Sequence, residues 1–251
     1  MNPKSTKLVV TDLTRMQRGM VCIAGYDKDL HCIRPILPPP GIPENNLFGA
    51  NGKPIIFPFA VIELDLLKTR PEPPHTEDHY FFSPSPRFIR LAKDPQKLLE
   101  RTLAPDVQAI FEQPVHTDFG YYVLEGQGPR SLGTIRPQNI AKVGYEPEPG
   151  GGAWDYRLTF ADARGDVYRL KITDLTWQYF CHSLRNEQRD PAQIAHDLTH
   201  SLQAREVYLR IGLARGWKEH PDRCYLQITG IYTFPDYLEG KTFADFLPGK
   251  T

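Results

Sequence analysis

Clusters of proline and glycine interrupt this chain so often that long helices and long central strands have little room to form. PPPGIPENN, at residues 38–46, holds four prolines, and EPEPGGG, at residues 146–152, joins two prolines to three glycines. Proline lacks a backbone N–H and has a fixed φ, so it is excluded from helix interiors and central strands. The sequence therefore predicts short elements joined by many turns.

Between these breaks the chain has the pattern of short paired strands. GMVCIAGYD and HCIRPIL flank a turn at residues 27–29, and WDYRLTFADARGDVYRLKITD flanks a turn at residues 163–166. Alternating apolar residues around turn residues are typical of antiparallel hairpins. FAVIELDLLK predicts one further strand, and VYLRIGLARGW and CYLQITGIYTFP predict two long closing strands.

Helical segments are few and short. DPQKLLERTL has Asp94 as a helix cap and Pro95 at the first helical position, and with APDVQAIFE it predicts an insertion at about 94–112. Two more helices are predicted at about 174–204. Hairpins around a helical piece are typical of small β-barrels such as the OB-fold. We predict a β-rich α+β protein with two OB-like small β-barrels, each with a short helical insertion; an SH3-like barrel or an open α+β sheet stays an alternative.

The segment EPEPGGG is the predicted domain boundary, because alternating prolines followed by glycines favour neither helix nor strand. The predicted domains are residues 1–147, an N-terminal OB-like domain, and residues 153–251, a C-terminal OB-like domain.

Composition restricts the classes of function. The chain has 30 Lys and Arg against 30 Asp and Glu, so no overall charge attracts polyanions, and nucleic-acid binding requires a local patch. No apolar window has the length of a membrane span. The N-terminus lacks the apolar region of a secretory signal, and the four cysteines include no CxxC pair. We expect a soluble cytoplasmic protein with reduced thiols and no membrane partner.

The motif HDLTH, at residues 196–200, is nearly the HExxH of zinc hydrolases. On a helix, His196 and His200 share one face. A catalytic zinc also needs a third ligand, and Asp197 is one methylene shorter than the usual glutamate. A surface helix covering the sheet is the favoured interpretation, and metal-dependent, nuclease-like hydrolysis by His196 and His200 is an alternative function.

Two other groups of residues have metal-binding chemistry. HTEDHYFF gathers imidazoles and carboxylates in a proline-framed loop: His75, Glu77, Asp78 and His79. Such a cluster can hold a divalent ion, and the alternative is a solvated loop. Cysteines and a histidine form the second group: Cys22, Cys32, Cys181, His182 and Cys224. Its spacing is unlike that of zinc knuckles, so packed thiols are favoured, and no cofactor or catalytic residue is predicted.

Several segments together resemble a family of uncharacterised prokaryotic proteins described as dual OB-containing domains: VTDLTRM, GMVCIAGYD, HCIRPILPP, PRSLGTIRP, REVYLRIGLARGW and CYLQITGIYTFPDYL. The resemblance extends from about Val9 to Leu238, and none of these motifs is a catalytic signature. It implies two OB-like barrels and, by analogy with other OB proteins, binding of nucleic acid.

Arginines and aromatic residues make up the predicted contact surface, because arginine suits phosphate and aromatic rings stack on bases. The predicted binding residues are Arg15, Arg18, Arg34, Arg130, Arg136, Arg210, Arg215, Trp217 and Tyr232, with Tyr26, Tyr121, Tyr122 and Phe234 as further stacking candidates. Arg34, before Pro35, and Arg215, beside Gly216, are preferred. The alternative is that the arginines pair with surface acids and the aromatics fill the barrels.

The chain has no glycine-rich phosphate loop, nucleophile elbow or Rossmann fingerprint. The predicted function is therefore binding of single-stranded nucleic acid, either RNA or DNA, by phosphate contacts and stacking, without intrinsic catalysis. A protein-interaction adaptor with a protein partner is a further alternative.

Overall fold

The computed structural model describes residues 3–148 and 154–247. The strands are β1 Lys4–Arg15, β2 Met20–Tyr26, β3 Cys32–Ile36, β4 Ile42–Pro43, β5 Ala60–Thr69, β6 Asp78–Phe81, β7 Arg87–Leu91, β8 His116–Thr117, β9 Tyr121–Leu124, β10 Leu132–Ile135, β11 Asn139–Pro147, β12 Trp154–Ala161, β13 Val167–Ile172, β14 Glu206–Leu213 and β15 Arg223–Phe234. The α-helices are α1 Pro95–Arg101, α2 Val107–Phe111, α3 Leu175–Asn186 and α4 Pro191–Gln203.

The first sheet closes into a five-stranded barrel in the order β1–β2–β3–β6–β5, and β5 returns to pair with β1. β3 and β6 run parallel, and the other pairs in the barrel are antiparallel. A register shift between Val10 and Asp12 in β1 marks a bulge. Val10 and Leu13 both pack in the barrel core, whereas Asp12 contacts the other sheet. The bulge thus directs the Asp12 carboxylate away from the barrel core, although Asp12 lies between core residues of the same strand.

The second sheet repeats this order as β11–β12–β13–β15–β14, again with a parallel pair, β13 and β15. β14 pairs with the extra strand β10, and the sheet stays open between β14 and β11 in the described residues. Helix α4 lies along the open edge. The Thr199 hydroxyl accepts from the Val143 N–H at 2.9 Å, and the Gln203 amide donates to the Ile140 carbonyl at 2.9 Å. Side chains of α4 therefore satisfy backbone groups that a partner strand would otherwise bond.

The helices lie where the sequence places them, in an insertion before β8 and in a pair between β13 and β14. Each of these four helices begins after an aspartate whose carboxylate accepts from a backbone N–H of the first turn: Asp94, Asp106, Asp174 and Asp190. Such caps stabilise helices that are too short to be stable alone. None of the helices in the described ranges is long and apolar enough to cross a lipid bilayer.

The strand pairing corrects the predicted domain boundary at residues 146–152. β11 pairs with β12 directly across that segment, with Tyr145 opposite Tyr156, and β10 pairs with β14. Residues 132–147 therefore belong to the second sheet, and the Pro/Gly segment joins neighbouring strands; residues 149–153 lie outside the described residues. The predicted fold class, two OB-like units in a β-rich chain, is confirmed.

Candidate nucleic-acid interface

A cleft of about 1170 Å³ lies between the two β-sheets. The first barrel contributes residues of β1, of the turn after it, and of β2 and β3. The second sheet contributes residues of β12, β13 and β15, the end of β14, and the facing side of α3. The second and third strands of both OB-like units thus border the same cleft.

Cationic side chains dominate the charged lining of this cleft: Arg15, Arg34, Arg70, Lys171, Arg185 and Arg215. The carboxylates in the lining are Asp12 and Glu148. Other acids that pair with these cations are not part of the lining: Glu44, Glu72, Asp78 and Asp155. Five of the six cations are thus paired with carboxylates, which fix their positions, and Arg185 has no carboxylate partner among the described residues.

Arg34 lies opposite Asp78 in the parallel β3–β6 pair. Its Nε donates to Asp78 Oδ1 at 2.6 Å and its Nη1 to the Ser131 hydroxyl at 3.2 Å. Its Nη2 is buried without a hydrogen-bond partner in the described part of the chain. A buried donor without a partner is costly, so this N–H group is suited to an acceptor oxygen of a ligand in the cleft.

Arg215 completes this arrangement from the loop that follows β14. Its guanidinium donates to Asp78 Oδ2, so two arginines share one fully buried carboxylate. The neighbouring Glu77 accepts from the Ser131 N–H at 2.6 Å and from the Leu132 N–H at 3.2 Å. The structure thus brings Arg34 and Arg215 together, and Glu77 and Asp78 are buried anchors rather than parts of a solvated loop.

Aromatic rings stand beside two other cations of the cleft lining, Arg15 and Arg185. The Arg185 guanidinium lies 4.7 Å from the Trp154 ring centroid, and Arg15 lies 4.7 Å from that of Tyr179. Tyr156 is also in the lining. Sequence reasoning missed Trp154, Tyr156 and Tyr179, because no local pattern separates a cleft aromatic from one in a barrel core.

Three titratable groups of the cleft have pKa values shifted toward the neutral form: His182, Cys22 and Tyr179. Burial, with the nearby Arg185 and Arg15 charges, lowers the pKa of His182. Burial also raises the pKa of the Cys22 thiol and, together with Glu44, raises the pKa of Tyr179 to about 12. An uncharged imidazole, a thiol and a phenol offer hydrogen bonds and packing to a ligand, whereas a thiolate nucleophile is disfavoured.

Several predicted contact residues lie away from this cleft. Arg130 pairs with Glu112 and Arg136 with Glu206, each at 2.8 Å and on the surface. Arg18 is exposed in the turn after β1, next to the cleft residue Gln17. Trp217 is half exposed, and Tyr121, Tyr122 and Phe234 also lie outside the lining.

Arg210 and Tyr232 are corrected as contact candidates, because both are buried where the two sheets meet. Arg210 binds Asp12, and the Tyr232 hydroxyl donates to the Thr11 carbonyl at 2.8 Å. Tyr26 is likewise buried, with its hydroxyl accepting from Arg210 at 2.6 Å. These groups join the two sheets and present no surface to a ligand.

His196, Asp197 and His200 of the HDLTH segment are exposed on α4, whereas Leu198 is buried. The rings of His196 and His200 are 4.4 Å apart, and Asp197 accepts from Arg189 and from Gln193 instead of facing them. Within residues 3–148 and 154–247, no third metal-ligating side chain forms a group with these histidines. The favoured interpretation of α4 as a covering helix agrees with its buried apolar face.

The four cysteines are free and do not form one metal site in the described residues. Cys22 lies opposite Thr14 and Cys32 opposite Tyr26, so the two do not face each other across the first hairpin. Cys224 instead meets His75 and Glu125, a combination that no sequence spacing indicated.

The closed barrel, the helix-covered second sheet with the same strand order and the cleft between their corresponding faces define a protein with two OB-like units. The description "dual OB-containing domain" matches residues 7–231, and the chain belongs to that family. The resemblance inferred from its strand segments is therefore confirmed. No curated protein sequence matches the chain.

Proposed function

We propose that this protein binds single-stranded nucleic acid in the cleft between its two OB-like units. The observation that carries the proposal is that both units direct their second and third strands into one cleft lined by six cations. OB-folds bind oligonucleotides on that face and on the adjoining loops. The cleft is larger than the roughly 300–1,000 Å³ of ordinary small-molecule pockets, which suits a stretch of chain better than a compact metabolite.

Arg34, Arg215 and Arg185 contact phosphate oxygens in this proposal, and the partly exposed Trp154 provides a face for a base. The buried Arg34 Nη2 is a donor ready for one such oxygen. Backbone contacts with stacking give affinity with little base preference, and they serve RNA and DNA alike. A cytoplasmic location and the absence of catalysis are parts of the same proposal.

Fluorescence anisotropy tests this with labelled single-stranded RNA, single-stranded DNA and duplex, each over a series of salt concentrations. We expect Arg185→Gln with Arg215→Gln to weaken single-strand binding and to lower the slope of log affinity against log salt by about 0.7 for each phosphate that the variant no longer neutralises. Arg130→Gln with Arg136→Gln removes the same charge outside the cleft and is the matched control. If both double variants weaken single-strand binding equally, the nucleic acid does not bind in the cleft.

One observation favours a second candidate, protein binding. β7 is an edge strand in the described sheet, and its side chains Phe88, Ile89 and Leu91 are exposed. An exposed apolar edge is a template for an added strand. Failure of the wild-type protein to bind any of the three nucleic-acid probes at low salt would favour this candidate.

A further inference from the structure

A second chemical cluster lies where the two OB-like units meet, on three segments far apart in the sequence. His75 precedes β6, Glu125 follows β9, and Cys224 is in β15. Their candidate ligand atoms all lie within 4.8 Å of one another. Cys224 Sγ is 3.9 Å from His75 Nε2 and 2.6 Å from Glu125 Oε2.

The donor types and their placement suit zinc. Zinc takes imidazole nitrogen, thiolate sulfur and carboxylate oxygen at about 2.0–2.3 Å, which puts neighbouring donors of a tetrahedral site roughly 3.5 Å apart. The spacing of Cys224 Sγ and His75 Nε2 is already near that value. Glu125 is exposed, so its carboxylate can move outward by the small amount needed.

Burial gives a second reason to expect a ligand at this cluster. The side chains of His75 and Cys224 are fully buried, and the Nδ1 of His75 has no hydrogen-bond partner among the described residues. The other ring nitrogen, Nε2, faces only a weakly polar sulfur at 3.9 Å. A zinc ion at Nε2 supplies the strong partner that this buried nitrogen lacks, and it leaves Nδ1 without one.

We propose that His75, Glu125 and Cys224 bind a zinc ion, with the fourth position open toward solvent beside Glu125. Binding releases the thiol proton of Cys224 to solvent and replaces its hydrogen bond to Glu125 with two metal–ligand bonds. The site ties the segment before β6 to β9 and β15 of the second sheet.

The proposed zinc site is close in sequence to residues that position the cleft arginines. His75 is followed by Glu77 and Asp78, which hold Ser131, Arg34 and Arg215 in place. Zinc at His75 therefore fixes the carboxylates that position the cleft arginines, and it acts on them as a positioning element. The zinc site itself does not depend on the proposed nucleic-acid function.

The test uses the whole chain, stripped with a chelator and then titrated with Zn²⁺ alone and with Co²⁺ alone. We expect one zinc per chain by elemental analysis and a cobalt–thiolate charge-transfer band. Cys224→Ser abolishes that band, and Glu125→Gln, on the exposed rim, weakens zinc affinity at least tenfold while circular dichroism stays unchanged. Cys22→Ser serves as the thiol control, and His196→Gln with His200→Gln as the imidazole control.

Two results overturn the proposal. One is a wild-type chain that binds no zinc and gives no thiolate band, which leaves the cluster as a hydrogen-bonded thiol and carboxylate. The other is zinc binding that persists in both the Cys224→Ser and the Glu125→Gln variants. Loss of zinc binding in the variant with His196→Gln and His200→Gln would overturn it equally. Zinc content is read without nucleic acid, so failure here and failure of the cleft proposal are distinguishable.

Discussion

Asp12 of the first barrel and Arg210 of the second sheet form an ion pair that is buried at the junction between the two. Asp12 Oδ2 lies 2.9 Å from Arg210 Nη2 and 3.0 Å from its Nε, and both side chains are almost fully buried. Arg210 Nη1 donates to the Tyr26 and Thr134 hydroxyls, and Thr229 donates to Asp12. Hydrogen bonds from both halves thus satisfy two charges that burial alone would make unfavourable.

We predict that Arg210→Met lowers the free energy of unfolding by about 3–5 kcal/mol, because the Asp12 carboxylate is then buried without its partner. Urea unfolding measures the change. Arg136→Met is the control: it breaks an exposed pair with Glu206 and is expected to change stability by under about 1 kcal/mol.

Asp12→Asn in the Arg210→Met background is expected to restore part of that stability, since the orphaned charge is removed. If the loss of unfolding free energy in the double variant equals the sum of the losses in the two single variants, the coupling free energy between Asp12 and Arg210 is zero. This account of the junction is then wrong.

Asp174 caps α3 and is buried beside this network. Its Oδ1 accepts from the Thr176 N–H at 2.8 Å, and its Oδ2 from the Ile231 N–H at 3.1 Å. Burial raises the pKa of Asp174 from 3.8 to about 7, against the opposing effect of these backbone hydrogen bonds. The folded protein therefore keeps this proton at pH values where the unfolded chain has released it.

We predict that the contribution of Asp174 to stability is fully present below about pH 4 and is lost as the pH rises through about 7. The loss is a few kcal/mol, at about 1.4 kcal/mol for each pH unit in which only the folded state holds the proton. Asp174→Asn keeps a capping oxygen but cannot titrate, so its urea midpoint should fall less between pH 4.5 and 8. Parallel pH profiles for the two proteins would contradict the assignment.

Gly133 in β10 allows α2 to lie directly on the second sheet. A Cβ at this position would stand 2.5 Å from Ile110 Cγ2. We predict that Gly133→Ala lowers stability by about 1–3 kcal/mol through overpacking, measured by urea unfolding. Gly144→Ala in β11 is the control, since its Cβ would meet nothing closer than 3.6 Å. Ile110→Ala should suppress part of the effect of Gly133→Ala, and strictly additive effects would exclude this contact as the cause.

Local chemistry determines which features the sequence can predict. The hairpins β2–β3 and β12–β13 follow from alternating apolar residues around a turn, and the cap at Asp94 follows from its place before Pro95. Whether the Pro/Gly segment at residues 146–152 is a domain linker or a connection between two paired strands cannot be predicted in the same way. Prolines and glycines occur in both kinds of connection. Only the pairing of β11 with β12 distinguishes the two cases.

Burial is a tertiary property, and it separates residues that look alike in sequence. Arg210 and Arg215 both follow an apolar residue, yet one is paired with Asp12, which is 198 positions away, and the other lines the cleft. The cluster of His75, Glu125 and Cys224 is equally invisible to spacing, because its members meet only after both sheets have formed.

Stacking in the cleft is expected to depend on Trp154. Its ring is partly exposed, lines the cleft and carries Arg185 on one face. We predict that Trp154→Leu weakens single-strand binding by about 1–3 kcal/mol, the range for removal of one stacked base, and leaves the salt slope unchanged because no charge is removed.

Trp217→Leu is the matched control for this change, because Trp217 is half exposed but lies outside the cleft lining. Anisotropy titrations of both variants at several salt concentrations separate stacking from charge. A loss of affinity in Trp217→Leu but not in Trp154→Leu would indicate that the bases contact the loop between β14 and β15 and not the face shared by the two OB-like units. A fall in the salt slope of Trp154→Leu would instead mean that the indole acts by holding Arg185 in position rather than by stacking on a base.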